Sequence, residues 1–151
     1  RTMEFLKKSD YLLFMGADTC FTNMTVKIES LIEKYNNPDI LIGEDVNGIN
    51  NDVVLYKNCP QVFDWLVNVL INSDRCGSDQ NAMIQLWDSI EELKLVKIPQ
   101  KEINAMPYWL YGYEDHKGGQ WEQGDWIFHA PGLPLEKRIE VIKEVLDKVV
   151  R

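Results

Sequence analysis

Long apolar runs are missing from this chain, and so is any excess of positive charge. No stretch approaches the roughly 20 apolar residues that a membrane-spanning helix needs, and no signal peptide opens the sequence. The net charge is −8, which argues against a nucleic-acid partner, because phosphate-backbone contacts need a basic face. A nucleotide is not excluded, since a metal ion and helix N-termini can hold its phosphates. Cysteine is scarce: Cys20, Cys59 and Cys76 are an odd number with no zinc-site spacing. They read as free thiols and favour a reducing compartment such as the cytoplasm, with the Golgi lumen left open. A Gly-rich phosphate loop, a nucleophile elbow and paired zinc ligands are all absent. Asn23-Met24-Thr25 fits a glycosylation acceptor, a tripeptide common by chance.

What remains is ordinary globular material. The 151 residues are 45% hydrophobic and 26% charged, enough for one domain over residues 1–151 with a sizeable core. Arg1-Thr2 is not a natural start, so the chain reads as part of something longer. Asp10 to Gly16 reads as a strand, apolar throughout and hence buried on both faces. Asp18 to Thr25 reads as a polar turn. Val26, Ile28, Leu31, Ile32 and Tyr35 recur at helical spacing, and Asn36-Asn37-Pro38 ends that helix. Short strands are expected over residues 39–43, 53–56 and 93–98, with a turn-rich segment at 47–52. Pro60 suits the first turn of a helix whose apolar face holds Val62, Phe63, Leu66, Val69 and Leu70. Ser78 is a fitting N-cap for a helix over Asp79 to Trp87. Residues 104–123 form a loop rich in aromatics and glycine. Leu135, Ile139, Ile142, Leu146 and Val149 mark an amphipathic C-terminal helix. Strands alternating with helices make the class α/β.

Two residues carry the first chemical signal. Asp18 follows a strand, and in open α/β sheets ligands bind beyond the carboxyl ends of strands. His129 lies in a turn bounded by Gly132, directly after the apolar run Trp126-Ile127-Phe128. Each has a plain alternative, a turn aspartate and a core histidine. Together, with water and phosphate oxygens completing the shell, a carboxylate and an imidazole suit Mn²⁺ or Mg²⁺. Such an ion neutralises charge on a leaving diphosphate. Asp79-Gln80 either favours a helix N-terminus or presents polar groups to a sugar. Asn50 and Asn51 are either turn residues or amides that orient hydroxyls. Tyr108, Trp109, Tyr111, Tyr113, Trp121 and Trp126 offer a sugar-stacking platform, although Tyr108 and Trp126 read better as core. A metal-dependent phosphoesterase would need more clustered carboxylates or histidines than the chain supplies.

Order and spacing add a resemblance. Residues 10–19, ending Gly16-Ala17-Asp18-Thr19, look like the strand that carries the Asp-x-Asp motif of GT-A-fold glycosyltransferases. Ile49-Asn50-Asn51-Asp52-Val53-Val54-Leu55 resembles their Asn-Ser-Gly-Val strand, and Asp79-Gln80 their sugar-facing pair. Residues 97–104 are similar to their Leu-Pro…Tyr-Asn stretch, and residues 124–132 to their closing segment with its metal-binding His. The match covers roughly positions 10 to 133 and is strongest to the galactosyl/mannosyltransferase and glycogenin-like families.

The resemblance implies a mixed sheet flanked by helices that lacks part of the N-terminal nucleotide-binding half. It implies a hexosyl or deoxyhexosyl transferase using a nucleotide-diphosphate sugar and a carbohydrate or other hydroxyl acceptor. Asp18 and His129 would hold Mn²⁺ (or Mg²⁺). Gly16, Ala17, Asp18, Asn50, Asn51 and Gly132 would line the donor site, and Asp79 and Gln80 would act at the sugar. An inverting route needs a base on the acceptor; a retaining route needs an opposite-face nucleophile or front-side attack. One departure stands out: the first Asp of the motif is Gly16. Restoring it by Gly16→Asp is expected to tighten donor binding. The rival reading is a glycosyltransferase-like module that lost its motif at Gly16 and now only binds a glycan or protein.

Overall fold

A computed structural model describes residues 2–45, 48–107 and 117–151. Its centre is a four-stranded sheet of order β1-β4-β3-β5, formed by Tyr11–Met15 (β1), Ile40–Asp45 (β3), Gly48–Lys57 (β4) and Leu95–Pro99 (β5). β4 runs antiparallel to both β1 and β3, whereas β3 and β5 are parallel, so the sheet is mixed. A two-stranded antiparallel ribbon joins Thr19–Phe21 (β2) to Ile127–His129 (β6). Helices flank the sheet: Thr2–Leu6 (α1), Ile28–Lys34 (α2), Pro60–Cys76 (α3), Asp79–Gln85 (α4), Gln100–Ile103 (α5) and Leu135–Leu146 (α6).

Alternation along the central strands divides the core. Ile40, Ile42, Val54 and Tyr56 pack against Val62, Trp65, Leu66 and Val69 of α3 and Ala82 and Met83 of α4. Leu41, Val53 and Leu55 face the other way, toward Leu31 of α2, Ile103 of α5, Trp126 and Ile127. This is the period-2 side-chain pattern of a strand covered on both faces. A third cluster seats Val141 and Val145 of α6 on Phe128 and Ala130, which anchors the His129 segment from outside.

Three sequence expectations are corrected. β1 is not buried on both faces: it is an edge strand, and Phe14 is 38% exposed. An apolar run reports what the faces are made of, not whether a second strand lies alongside. The polar stretch 18–25 contains β2, because its residues pair with β6 rather than closing a local turn. Residues 48–52 belong to β4, not to a turn. Here the pairing with β3 jumps: Ile42 faces Val54, but Gly43 faces Asn50. Asn51, Asp52 and Val53 therefore have no partner in β3. Such bulges re-aim side chains near functional sites, and Asn51 and Asp52 are the residues re-aimed.

The β2–β6 ribbon is tied down by Thr22, which is fully buried. Its hydroxyl donates to the Asp125 carbonyl (2.6 Å) and accepts from the Trp121 indole N–H (3.0 Å). Thr22→Val keeps the shape but leaves that indole unpaired, and is expected to cost about 1–3 kcal/mol. A urea midpoint within error of the parent would show that water replaces the hydroxyl. The same contacts make Trp121 a packing residue, edge-on to Phe128, and Trp126 is core against Phe21. Tyr108, Trp109, Tyr111 and Tyr113 lie outside the described residues. Asn23 carries an internal role as well: its amide donates to the Gly124 carbonyl (2.7 Å) and its oxygen accepts from the Thr25 hydroxyl (2.6 Å).

Candidate functional site

Three strand ends meet at one point. After β1 the chain turns at Gly16–Thr19, where the Thr19 N–H and hydroxyl both donate to the Gly16 carbonyl (3.2 and 2.7 Å). The turn feeds β2, whose Thr19 pairs with His129 of β6. The Asp18 carbonyl accepts the Ala130 N–H (3.0 Å), and the His129 N–H donates to the Ala105 carbonyl (2.8 Å). Residues 18 and 129, far apart in sequence, are thereby held by adjoining backbone. From the other side, the Gly16 N–H donates to the Asp52 carbonyl (2.6 Å) at the bulge of β4.

The side chains converge accordingly. His129 Nε2 lies 3.5 Å from Asp18 Oδ1 and 3.3 Å from Asp52 Oδ2. One ligand atom from each of the three residues falls within 4.8 Å of the others. Burial pushes the His129 imidazole below its ordinary pKa, against the pull of Asp52 and Asp18. Burial also raises the Asp52 carboxyl, with the His129 charge opposing and Asp18 reinforcing. A neutral imidazole keeps one nitrogen lone pair available to a ligand. His129 is fully buried, yet neither ring nitrogen has a hydrogen-bond partner. Buried polar atoms left this way are costly. A divalent cation satisfies Nε2 and offsets both carboxylates, so these donors fit an N/O-coordinated ion such as Mn²⁺ or Mg²⁺.

Arg138, on α6, brings a guanidinium 3.5 Å from Asp18 Oδ2. It also donates to the Leu133 carbonyl (3.0 Å), which fixes the side chain against its own helix start. The turn before α6 depends on Gly132, whose φ of 68° lies in the left-handed region, while a Cβ there would meet nothing within 4 Å. Gly132 is thus required by the backbone rather than by crowding.

A groove of about 250 Å³ opens next to this cluster, lined by Phe14, Asn51, Tyr56, Leu66, Asp79 and Met83 among others. Asn51 bridges the two features, since it is the neighbour of Asp52 and its N–H donates to Gln80 Oε1 (3.3 Å). Asp79 is exposed at the start of α4 and accepts from the Gln80 N–H (2.8 Å). The helix cap itself is Ser78, whose hydroxyl accepts from the Asn81 N–H (3.1 Å). Asn50 points inward and shapes the bulge: its amide donates to Asp45 Oδ2 (3.0 Å) and its oxygen accepts the Asp52 N–H (3.1 Å). The structure therefore brings Asp18 and His129 together, and Asn51, Asp79 and Gln80 together, while Asn50 hydrogen-bonds within the bulge and Gly132 shapes the turn before α6. Asp52 and Arg138 lie in the same cluster and were not singled out by sequence reasoning. Asp52 carries no local signal, and Arg138 reads as a charge on the wet side of an amphipathic helix.

No family model matches the sequence. The probable alpha-1,2-galactosyltransferase gmh2 of Schizosaccharomyces pombe is 25% identical over 115 residues, which cover 72% of this chain and 32% of that protein. The chain thus spans about a third of the length of the curated relative it matches. The crystal structure of a glycosyltransferase involved in glycosylation of the major capsid of PBCV-1 superposes with a TM-score of 0.66 and 14% identity, covering 93% of this chain and 69% of that one. The fold matches that of a glycosyltransferase. Among the described residues no helix is long and apolar enough to cross a membrane.

Proposed function

We propose that this chain carries the catalytic portion of a metal-dependent, GT-A-type glycosyltransferase that moves a sugar from a nucleotide-diphosphate donor to a hydroxyl acceptor. In the reaction the bond from the anomeric carbon to the diphosphate oxygen breaks, a bond to the acceptor oxygen forms, and the acceptor hydroxyl loses its proton. Negative charge builds on the leaving diphosphate. A divalent ion, when bound, neutralises that charge. Asp18 and His129 would hold it, through a carboxylate oxygen and Nε2. Arg138 steadies Asp18 and adds positive charge at the same point. Asn51 and Asp79 line the groove and bind sugar hydroxyls. Asp79 is also the base toward the acceptor hydroxyl, and Gln80, tethered by the Asn51 N–H, lies toward the anomeric carbon.

The observation that carries this reading is the fully buried His129 imidazole, with both nitrogens unpartnered and Nε2 facing two carboxylates. A structural core histidine would have its polar atoms satisfied. The test is a thermal-shift and turnover screen of the full-length protein against a panel of nucleotide sugars, with and without Mn²⁺. One donor is expected to raise the melting temperature only when Mn²⁺ is present; occupancy at about 100 Kd is worth roughly 2.7 kcal/mol. The same pair should show slow donor hydrolysis. No shift and no turnover with any donor would favour the non-catalytic module.

A further inference from the structure

We infer that Asp52 is the second carboxylate ligand of this cation site, and that residue 16 has no side chain because Asp52 fills the space one would take. The inference rests on the metal-site reading and extends it to a residue pair on neighbouring strands. The β1–β4 register ends with Met15 facing Val53. One step further, Gly16 lies opposite Asp52, and the Gly16 N–H donates to the Asp52 carbonyl (2.6 Å). Residues directly opposite on antiparallel strands project on the same face with Cβ atoms only about 5 Å apart. A Cβ built on Gly16 would lie 2.7 Å from Asp52 Oδ1 and 3.1 Å from Asp18 Oδ1. The first distance is shorter than carbon and oxygen tolerate, so in this arrangement the Asp52 carboxylate fills that volume and would have to turn aside for a side chain at residue 16.

The other oxygen of the same carboxylate supplies the second half of the argument. Asp52 Oδ2 is 3.3 Å from His129 Nε2, slightly nearer than Asp18 Oδ1 at 3.5 Å. His129 is fully buried and its Nε2 makes no hydrogen bond, so this close approach is not explained by a donor–acceptor pair. A cation between the three groups explains it. The β4 bulge provides the mechanical cause, since Asn51 to Val53 are released from β3 and Asp52 swings toward Gly16. The acidic group absent at residue 16 is therefore present at residue 52, delivered by the facing strand. On this inference Gly16→Asp alone is not expected to tighten donor binding, because the new side chain would displace the Asp52 carboxylate and add a third carboxylate to the same volume.

The exchange makes a reciprocal prediction. In the full-length protein, Mn²⁺ affinity is measured by titration for the parent and for Asp52→Asn, Gly16→Asp, Asp52→Gly and the double variant Gly16→Asp/Asp52→Gly, with melting curves in metal-free buffer. Asp52→Asn keeps shape and loses charge; its Mn²⁺ affinity should fall on the order of 10-fold or more. Gly16→Asp and Asp52→Gly should each weaken binding, and Gly16→Asp should also lower the metal-free melting temperature. The double variant should recover affinity to within about 3-fold of the parent, a non-additivity expected only of residues sharing one site. Parent-like affinity in Asp52→Asn, while Asp18→Asn loses Mn²⁺, would overturn the role of Asp52 and leave the Asp18–His129 site standing. A double variant no better than the worse single would overturn the exchange. A parent protein that binds no Mn²⁺ would overturn the metal site itself, and the inference with it.

Discussion

Asp18→Asn is expected to remove the Mn²⁺-dependent rise in melting temperature and to cut sugar transfer by on the order of 10²- to 10³-fold, the effect of deleting one electrostatic contact to a developing anion. The substitution preserves volume, and the backbone contacts that place residue 18 do not involve its side chain: its carbonyl accepts the Ala130 N–H. What it removes is charge at a point shared with Asp52 and His129. In metal-free buffer the variant should melt at or above the parent temperature, because crowded carboxylates in a half-buried site repel one another, partly offset by Arg138 at 3.5 Å. The two readings therefore separate cleanly. A structural Asp18 would lower metal-free stability and leave the Mn²⁺ response intact. A ligand Asp18 leaves metal-free stability alone and loses the response. Calorimetric titration, melting curves with and without Mn²⁺, and single-turnover transfer decide it; parent-like Mn²⁺ affinity and transfer would sink the assignment.

Asp79→Asn is expected to lower transfer by about 10²-fold or more, as for loss of a general base, while leaving Mn²⁺ and nucleoside-diphosphate affinity nearly unchanged. The side-chain cap of helix α4 is Ser78; Asp79 accepts the Gln80 N–H and adds a first-turn interaction with the helix dipole, about 0.3–1 kcal/mol when exposed, so a purely helix-end role predicts a small loss of stability and no loss of transfer. Asp79 also lines the groove together with Asn51, which is where a base toward an acceptor hydroxyl would act. Asparagine retains shape and most hydrogen-bonding capacity but neither charge nor basicity. A folded variant that transfers sugar at nearly the parent rate would return Asp79 to a surface role. Restoration of turnover by Asp79→Glu, but not by Asp79→Asn, would support the base.

Much of this was readable locally, because local signals reflect short-range physics. The strand at Tyr11–Met15, Pro60 in the first turn of α3 and the Ser78 cap each depend on residues within a turn or two; on α6 the expected face is not the buried one, since Leu135, Ile139 and Leu146 are exposed while Val141 and Val145 pack on Phe128 and Ala130. His129 stood out because a polar group directly after an apolar run is conspicuous, and the structure places it beside Asp18. The misses share one cause. Asp52 and Arg138 join the cluster only through partners roughly 36 and 120 positions away, Gly16 and Asp18, and nothing in their immediate neighbours records those contacts. Asn50 shows the opposite: an amide that looks free in a turn-rich segment hydrogen-bonds Asp45 and the Asp52 backbone once the strand forms.

Composition and periodicity by themselves determined an α/β chain with a two-faced central sheet and an aspartate at the end of its first strand. Those follow from burial of apolar side chains at periods of two and 3.6. The tertiary structure alone decided that β1 sits at the sheet edge, that β4 bulges at Asn51–Val53, and that a glycine and an aspartate on facing strands share one carboxylate-sized space. Strand order and register are set by long-range pairing, in which one residue gains its meaning from whatever lies opposite it. The close approach of Asp18, Asp52 and His129 belongs to that second level, because three strands must be placed before they can meet.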